Sequence, residues 1–338
     1  MIPPDLHWGA LAPALILLTS AALGLLAALY QRGSRSAAGF AVVGVLLAAL
    51  FNFDLYATGE VTGAYGSSFG LRFLADEAAL AFTFLILLGT LLAILISYDY
   101  LERAGLEQPE YYPLMLLSAC GATIMAAAGD LITLVLGLEI MSLAVYTLSA
   151  WRQGARESEE AGMKYFLLGA FASAFLIYGI ALLYGSSGSF RYADLAASLA
   201  ALGTEPLAGG AFYALLGGMF VLAGLGFKVA FAPFHQWAPD VYTGAPTAVT
   251  AFMSVVIKTA AFAALLRLTD VLLPTLPSVF GDALAVLVAL TLVVGNFSAL
   301  LQRGLKRMLA YSAVAHAGYL GMAVLAAETL GIGAAVFY

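Results

Sequence analysis

Three ionisable side chains lie in stretches that lipid should claim. Glu139 stands in LVLGLEIMSL, Lys228 in GLGFKVAF and Lys258 in SVVIKTAAF. The chain has four lysines in all, Lys164, Lys228, Lys258 and Lys306, and a surface role would crowd them into loops. Counted from Leu131 at ~1.5 Å per residue, Glu139 is roughly 12 Å deep in a membrane; Lys258, counted from Ala248, is about 15 Å deep. An ionisable group at such depth costs at least ~2.5–3.5 kcal/mol, so it should face the interior of a helix bundle and have a partner there.

Acid and amine at that depth suit proton transfer. Desolvation disfavours a charged buried lysine, and a nearby carboxylate restores it. At ~4 Å and an effective dielectric of ~20 the attraction is about 4 kcal/mol. A Glu139–Lys228 pair that opens and closes would therefore release and rebind a proton, with Lys258 as the next station. The alternative is a static salt bridge that only holds helices together. Lys164, one turn inside its helix, could join the relay or snorkel to the interface. His235, seven residues past Lys228, and His316, about ten residues into its span, could shuttle protons. Either histidine could equally be a neutral structural group, His235 by bonding a carbonyl freed beside Pro233.

The elements that must position these groups follow from composition. Hydrophobic residues make up 63% of the 338 and charged ones 10%, with mean hydropathy +0.97. A soluble domain carries about 25% charged residues, so lipid must be the main solvent. The net charge of −6 argues against a nucleic-acid partner. Cys120, the one cysteine, excludes a disulfide framework and cannot alone hold an iron–sulfur cluster. No G-x-G-x-x-G or P-loop pattern is present, so no cofactor is expected in this chain, and no metal site. The opening Met1–Trp8 holds Asp5 and no basic residue, unlike a signal peptide.

At about 20 apolar residues per span, the sequence predicts an all-α bundle with spans near 9–30, 37–56, 78–98, 111–128, 131–150, 161–184, 211–242, 246–268, 282–302 and 307–327. An eleventh begins near Thr329, and the sequence stops within it, as a truncated chain would. The stretch 211–242 would be roughly 48 Å long as one straight helix, and Pro233 and Pro239 are the expected breaks. Broken helices at membrane depth mark ion paths in transporters. With the N-terminus outside, Arg32, Arg35, Arg103, Arg152, Arg156, Arg303, Lys306 and Arg307 fall on the inside, against Arg72, Arg191 and Arg267 outside, as the positive-inside rule requires. Many of the 35 glycines lie in spans, where they suit close helix packing.

Two motifs then resemble a known family. FKVAFAPFHQWAPDVYTGAPTAVTAF (227–252) and RGLKRMLAYSAVAHAGYLG (303–321) are similar to signatures of the antiporter-like membrane subunits of proton-pumping NADH:quinone oxidoreductase (respiratory complex I) and of multisubunit cation/proton antiporters. The D-V-Y-x-G-A-P and A-H-A-G-Y-L forms look like the subunit N branch. The family's glutamate in the fifth helix, lysine in the broken seventh and lysine in the eighth fall on Glu139, Lys228 and Lys258, and its sixth-helix lysine on Lys164. The resemblance implies inverted five-helix repeats: a three-helix region over 1–110, a first repeat forming a proton half-channel over 111–270, and the start of a second over 271–338. It also implies partner subunits of complex I that carry FMN, iron–sulfur clusters and the NADH and quinone sites; the Ala- and Gly-rich composition favours a bacterial inner membrane over a mitochondrial or chloroplast one. The exit-side lysine would lie beyond Tyr338. A subunit of a sodium/proton antiporter and a purely structural membrane spacer are the competing readings.

Overall fold

The computed structural model describes residues 7–31, 34–58, 67–70, 72–203, 209–326 and 329–338. Asp5 and Arg32 lie outside the described residues. Among those described, nine helices are long and apolar enough to cross a membrane, and Tyr111–Ala126 is a tenth, shorter apolar helix. All ten expected spans thus find their helix, and the chain is a multi-pass membrane protein. It divides into two compact units, Met1–Met163 with Gly244–Ala263, and Lys164–Thr243 with Ala264–Tyr338.

The first unit holds α1 (Trp8–Gln31), α2 (Ser34–Ala57), α3 (Glu77–Ala104), α4 (Tyr111–Ala126) and α5 (Leu131–Ser149), with a small antiparallel hairpin of β1 (Ser67–Ser68) and β2 (Phe73–Leu74). Helix starts follow local chemistry. The Asp76 carboxylate accepts from Ala79 N–H at 2.8 Å and Asp130 from Thr133 N–H at 2.6 Å, so each satisfies an amide that its helix leaves unpaired. α3 ends on Gly105 at φ 64°, a left-handed cap that only glycine adopts without penalty. α4 is only 16 residues long, yet 13 of them are buried. A sheathed helix need not match the bilayer thickness, which is why it can be shorter than the span expected over 111–128.

α4 and α5 touch backbone to backbone. A Cβ on Gly137 would lie 2.8 Å from Met125 Cα and 2.9 Å from Gly121 O, so both helices depend on glycine where they cross. The unit is completed by α10 (Thr247–Phe252), a π-helical turn (Met253–Ile257) and the start of α11 (Lys258–Thr275). Periodicity predicts one regular helix there; the π turn is a departure from it.

The second unit contains α6 (Arg156–Ser187, from Lys164 onward), α7 (Tyr192–Ala201), α8 (Gly209–Val229), α9 (Trp237–Gly244), the remainder of α11, α12 (Ser278–Leu300), α13 (Leu305–Leu325) and α14 (Thr329–Phe337). Gly179 and Gly217 bring α6 and α8 together: a Cβ on Gly179 would sit 2.7 Å from Gly217 O. α7 lies in a stretch with no span. It buries Tyr192, Leu195 and Leu199, one face of a short helix.

The expected break in 211–242 is present, between α8 and α9. One of its two prolines has a different role from the one expected. Pro233 lies in the connection, whereas Pro239 is the third residue of α9. In the first turn a missing N–H costs no helix bond, so Pro239 starts a helix instead of breaking one.

Candidate functional site

In the first unit, Glu139 lies half-buried on α5, two residues past the Gly121–Gly137 crossing. Tyr146, seven residues on and 7% exposed, shares its face of the helix. Lys258 is also 7% exposed and follows directly on the π turn. A π turn inserts an extra residue, so it rotates everything after it by roughly 100° relative to a regular helix and decides which face Lys258 takes. Ser149 reaches Met253 Sδ at 3.5 Å, and Gly89 of α3 admits Val255 and Val256. Both contacts hold the π turn in place.

In the second unit the broken helix organises the site. α8 ends in a Schellman arrangement: Phe231 N–H donates to Gly226 O at 2.7 Å and Ala230 N–H to Phe227 O at 3.1 Å, with Ala230 at φ 66°. The groups that the break frees find partners in side chains. Trp237 Nε1 donates to Phe227 O at 2.8 Å, and Ala232 N–H to Thr291 Oγ1 at 2.8 Å. Such satisfaction is what allows irregular backbone at membrane depth.

Lys228, in the last turn of α8, is 2% exposed. Its ammonium lies 5.0 Å from the centroid of the Tyr165 ring, a cation–π contact. Tyr165 is itself stacked on Trp237 with centroids 4.5 Å apart. Lys164, beside Tyr165, pairs with Asp240 at 2.8 Å, and Arg307 of α13 takes the other oxygen of that carboxylate at 2.7 Å. Lys306 donates to Thr243 O at 3.2 Å, on the C-terminal turn of α9, where the helix dipole favours a cation.

The histidines take different positions from each other. His235 is half-buried in the connection, its ring 6.3 Å from that of Tyr311. Its Nδ1 is enclosed with no hydrogen-bond partner among the described residues. His316 is exposed on α13 and its Nδ1 hydrogen-bonds the Tyr338 hydroxyl. Sequence reasoning missed Asp240, Arg307, Tyr165, Trp237 and Thr291. Asp240 was visible as the one acid in the stretch 227–252, and Arg307 had counted only as a loop cation.

A multi-pass bundle with an interrupted helix and lysines buried in its spans defines an antiporter-like membrane subunit. Residues 128–338 match the family described as NADH:quinone oxidoreductase/Mrp antiporter, TM. NADH-quinone oxidoreductase subunit N of Chloroflexus aggregans is 44% identical over 100% of this chain and 68% of its own length; that of Desulfovibrio desulfuricans is 47% identical over 95% and 63%. The chain belongs to the NADH-quinone oxidoreductase subunit N family. It spans 60% of the Moorella thermoacetica relative, at 42% identity over 83% of this chain, so it corresponds to about two thirds of such proteins. Among solved structures, respiratory complex I from Thermus thermophilus with bound aureothin contains a chain 37% identical, at TM-score 0.77, matched over 94% of this chain and 66% of that one. A chain of the Mrp complex from Dietzia, 22% identical at TM-score 0.78 over 96% and 35%, shares the fold.

Proposed function

We propose that this chain translocates protons across a bacterial cell membrane, with its N-terminus outside, as a subunit of a proton-pumping NADH:quinone oxidoreductase. Electron transfer from NADH to quinone in partner subunits, which carry FMN and iron–sulfur clusters, drives the step. Glu139, Lys228 and Lys258 form the proton path, and His235 and His316 are further candidate relay groups. In the same reading, residues 1–110 are a three-helix region, 111–270 the first repeat and 271–338 the start of the second. The observation that carries the proposal is Lys228: a buried amine on the last turn of a broken helix, resting on an aromatic ring. A lysine in such a place can lose and regain its proton as its surroundings shift, which a spacer has no need of.

The relatives' names favour this reading over sodium/proton antiport, since those cited at 42–47% identity are all subunit N. The test is NADH-driven proton pumping in native membrane vesicles carrying Lys228→Ala or Lys228→Arg in the full-length protein, with assembly checked on a native gel. Both variants should assemble and lose pumping, the arginine because it stays charged. Unchanged pumping in either would reduce the buried lysines to structural ties.

A further inference from the structure

Lys164 can be a relay or a fixed cation, and its surroundings distinguish the two. Its ammonium and the Arg307 guanidinium hold opposite oxygens of one carboxylate, Asp240, at 2.8 and 2.7 Å. Those three residues belong to α6, α13 and α9. One turn before Asp240, Trp237 stacks on Tyr165, the neighbour of Lys164, and donates to the carbonyl of Phe227, the neighbour of Lys228. α9 has only eight residues, too short to be stable by itself. Its placement therefore depends on these anchors.

We infer that Asp240 is a positioning residue: clamped by Lys164 and Arg307, it fixes α9, and through the Trp237–Tyr165 stack it sets the surface on which the Lys228 ammonium rests. Lys164 then acts as a permanent cation and not as a station for the proton. This inference builds on the role proposed for Lys228. The alternative relay role makes the opposite demand, since a relay must give up its proton and an arginine does not.

The experiment uses the full-length protein in its assembled complex, with two readouts, NADH-driven pumping and hydrogen exchange of the peptide covering α9. Lys164→Arg and Asp240→Glu keep the clamp charges and should retain most pumping. Asp240→Asn should lose most of it and speed exchange in α9 by about two- to thirtyfold, as expected when two partly exposed ion pairs go. Loss of pumping in Lys164→Arg, with assembly intact, would make Lys164 a relay and overturn the inference. So would α9 exchange that Asp240→Asn leaves unchanged. Should Asp240→Asn fail to assemble, Lys164→Arg still decides between the two roles. Unchanged pumping in Lys228→Ala would overturn the proposed path alone, because the exchange of α9 is read independently of pumping.

Discussion

Thr291→Val isolates what holds the broken helix open. The Ala232 amide donates to Thr291 Oγ1 at 2.8 Å, and the two residues are 1% and 0% exposed. Valine matches threonine in shape, so no cavity opens, but the amide loses its acceptor. A buried, unsatisfied donor costs about 1–3 kcal/mol. The other bond of the hydroxyl, to Leu287 O at 2.6 Å, adds little, because that carbonyl stands in a regular helix and already accepts from the backbone. Thr291→Ser supplies the contrast: it keeps the oxygen and gives up one methyl group, worth about 0.8 kcal/mol.

Hydrogen exchange of the peptide spanning residues 230–236, in the purified full-length assembly, reads the difference. A loss of 1–3 kcal/mol raises local opening by about five- to 150-fold, and the serine variant should stay within about fivefold of wild type. Pumping should fall in the valine variant in step with the exchange, since the connection carries Lys228 on one side and α9 on the other. If valine exchanges no faster than serine, the hydroxyl is not what satisfies the break, and the account of how the freed backbone survives in lipid is wrong.

Substitutions at two further positions test other joints. Gly137→Val drives a side chain into the Met125 backbone, where even a Cβ would come within 2.8 Å of Cα. Overpacking of this kind costs about 1–3 kcal/mol or more, and thermal unfolding of the solubilised protein should show a lowered midpoint with less assembled material; an unchanged midpoint would mean that α4 and α5 can separate freely. Tyr165→Phe keeps the ring beneath the Lys228 ammonium and Tyr165→Leu removes it. With a cation–π contact worth ~2 kcal/mol when desolvated, leucine should cut pumping markedly while phenylalanine stays near wild type, and equal rates would exclude the ring face from any role.

Helix number and type were legible because a span is a composition problem. Twenty apolar residues announce themselves, and each of the ten such stretches is helical, although 211–242 is divided between α8 and α9 and 246–268 is interrupted by the π turn. The break over 211–242 was legible from length, since no straight helix of that size fits the hydrocarbon. What decided its shape was not. Pro239 reads as a breaker until its place in the first turn of α9 is known, and that place depends on where α8 stops. The π turn before Lys258 leaves no mark in periodicity, because MSVVI is as apolar as a regular helix would be. Lys228 was found as a charge out of place, but its aromatic platform was not: Tyr165 and Trp237 are 72 positions apart in the chain. Asp240 was in view and passed over, because an acid near a helix end reads as a solvated one until two cations from distant helices are seen on it.

The residue at the turn itself shows how far packing outweighs local preference here. Ala230 occupies φ 66°, where glycine is the usual residue and a side chain costs about 1 kcal/mol or more. Local rules would place glycine at 230 and let the helix end loosely. Alanine there, 0% exposed, requires neighbours that over-determine the bend. They are present: the indole on Phe227 O, the Thr291 hydroxyl on Ala232 N–H, and the ring of Phe231, against which Gly321 of α13 packs closely. A break held from three sides keeps the last turn of α8 in one place. That rigidity matters for the chemistry, because a lysine can serve as a proton switch only if its surroundings have defined arrangements, and a frayed helix end would give the amine a continuum of them.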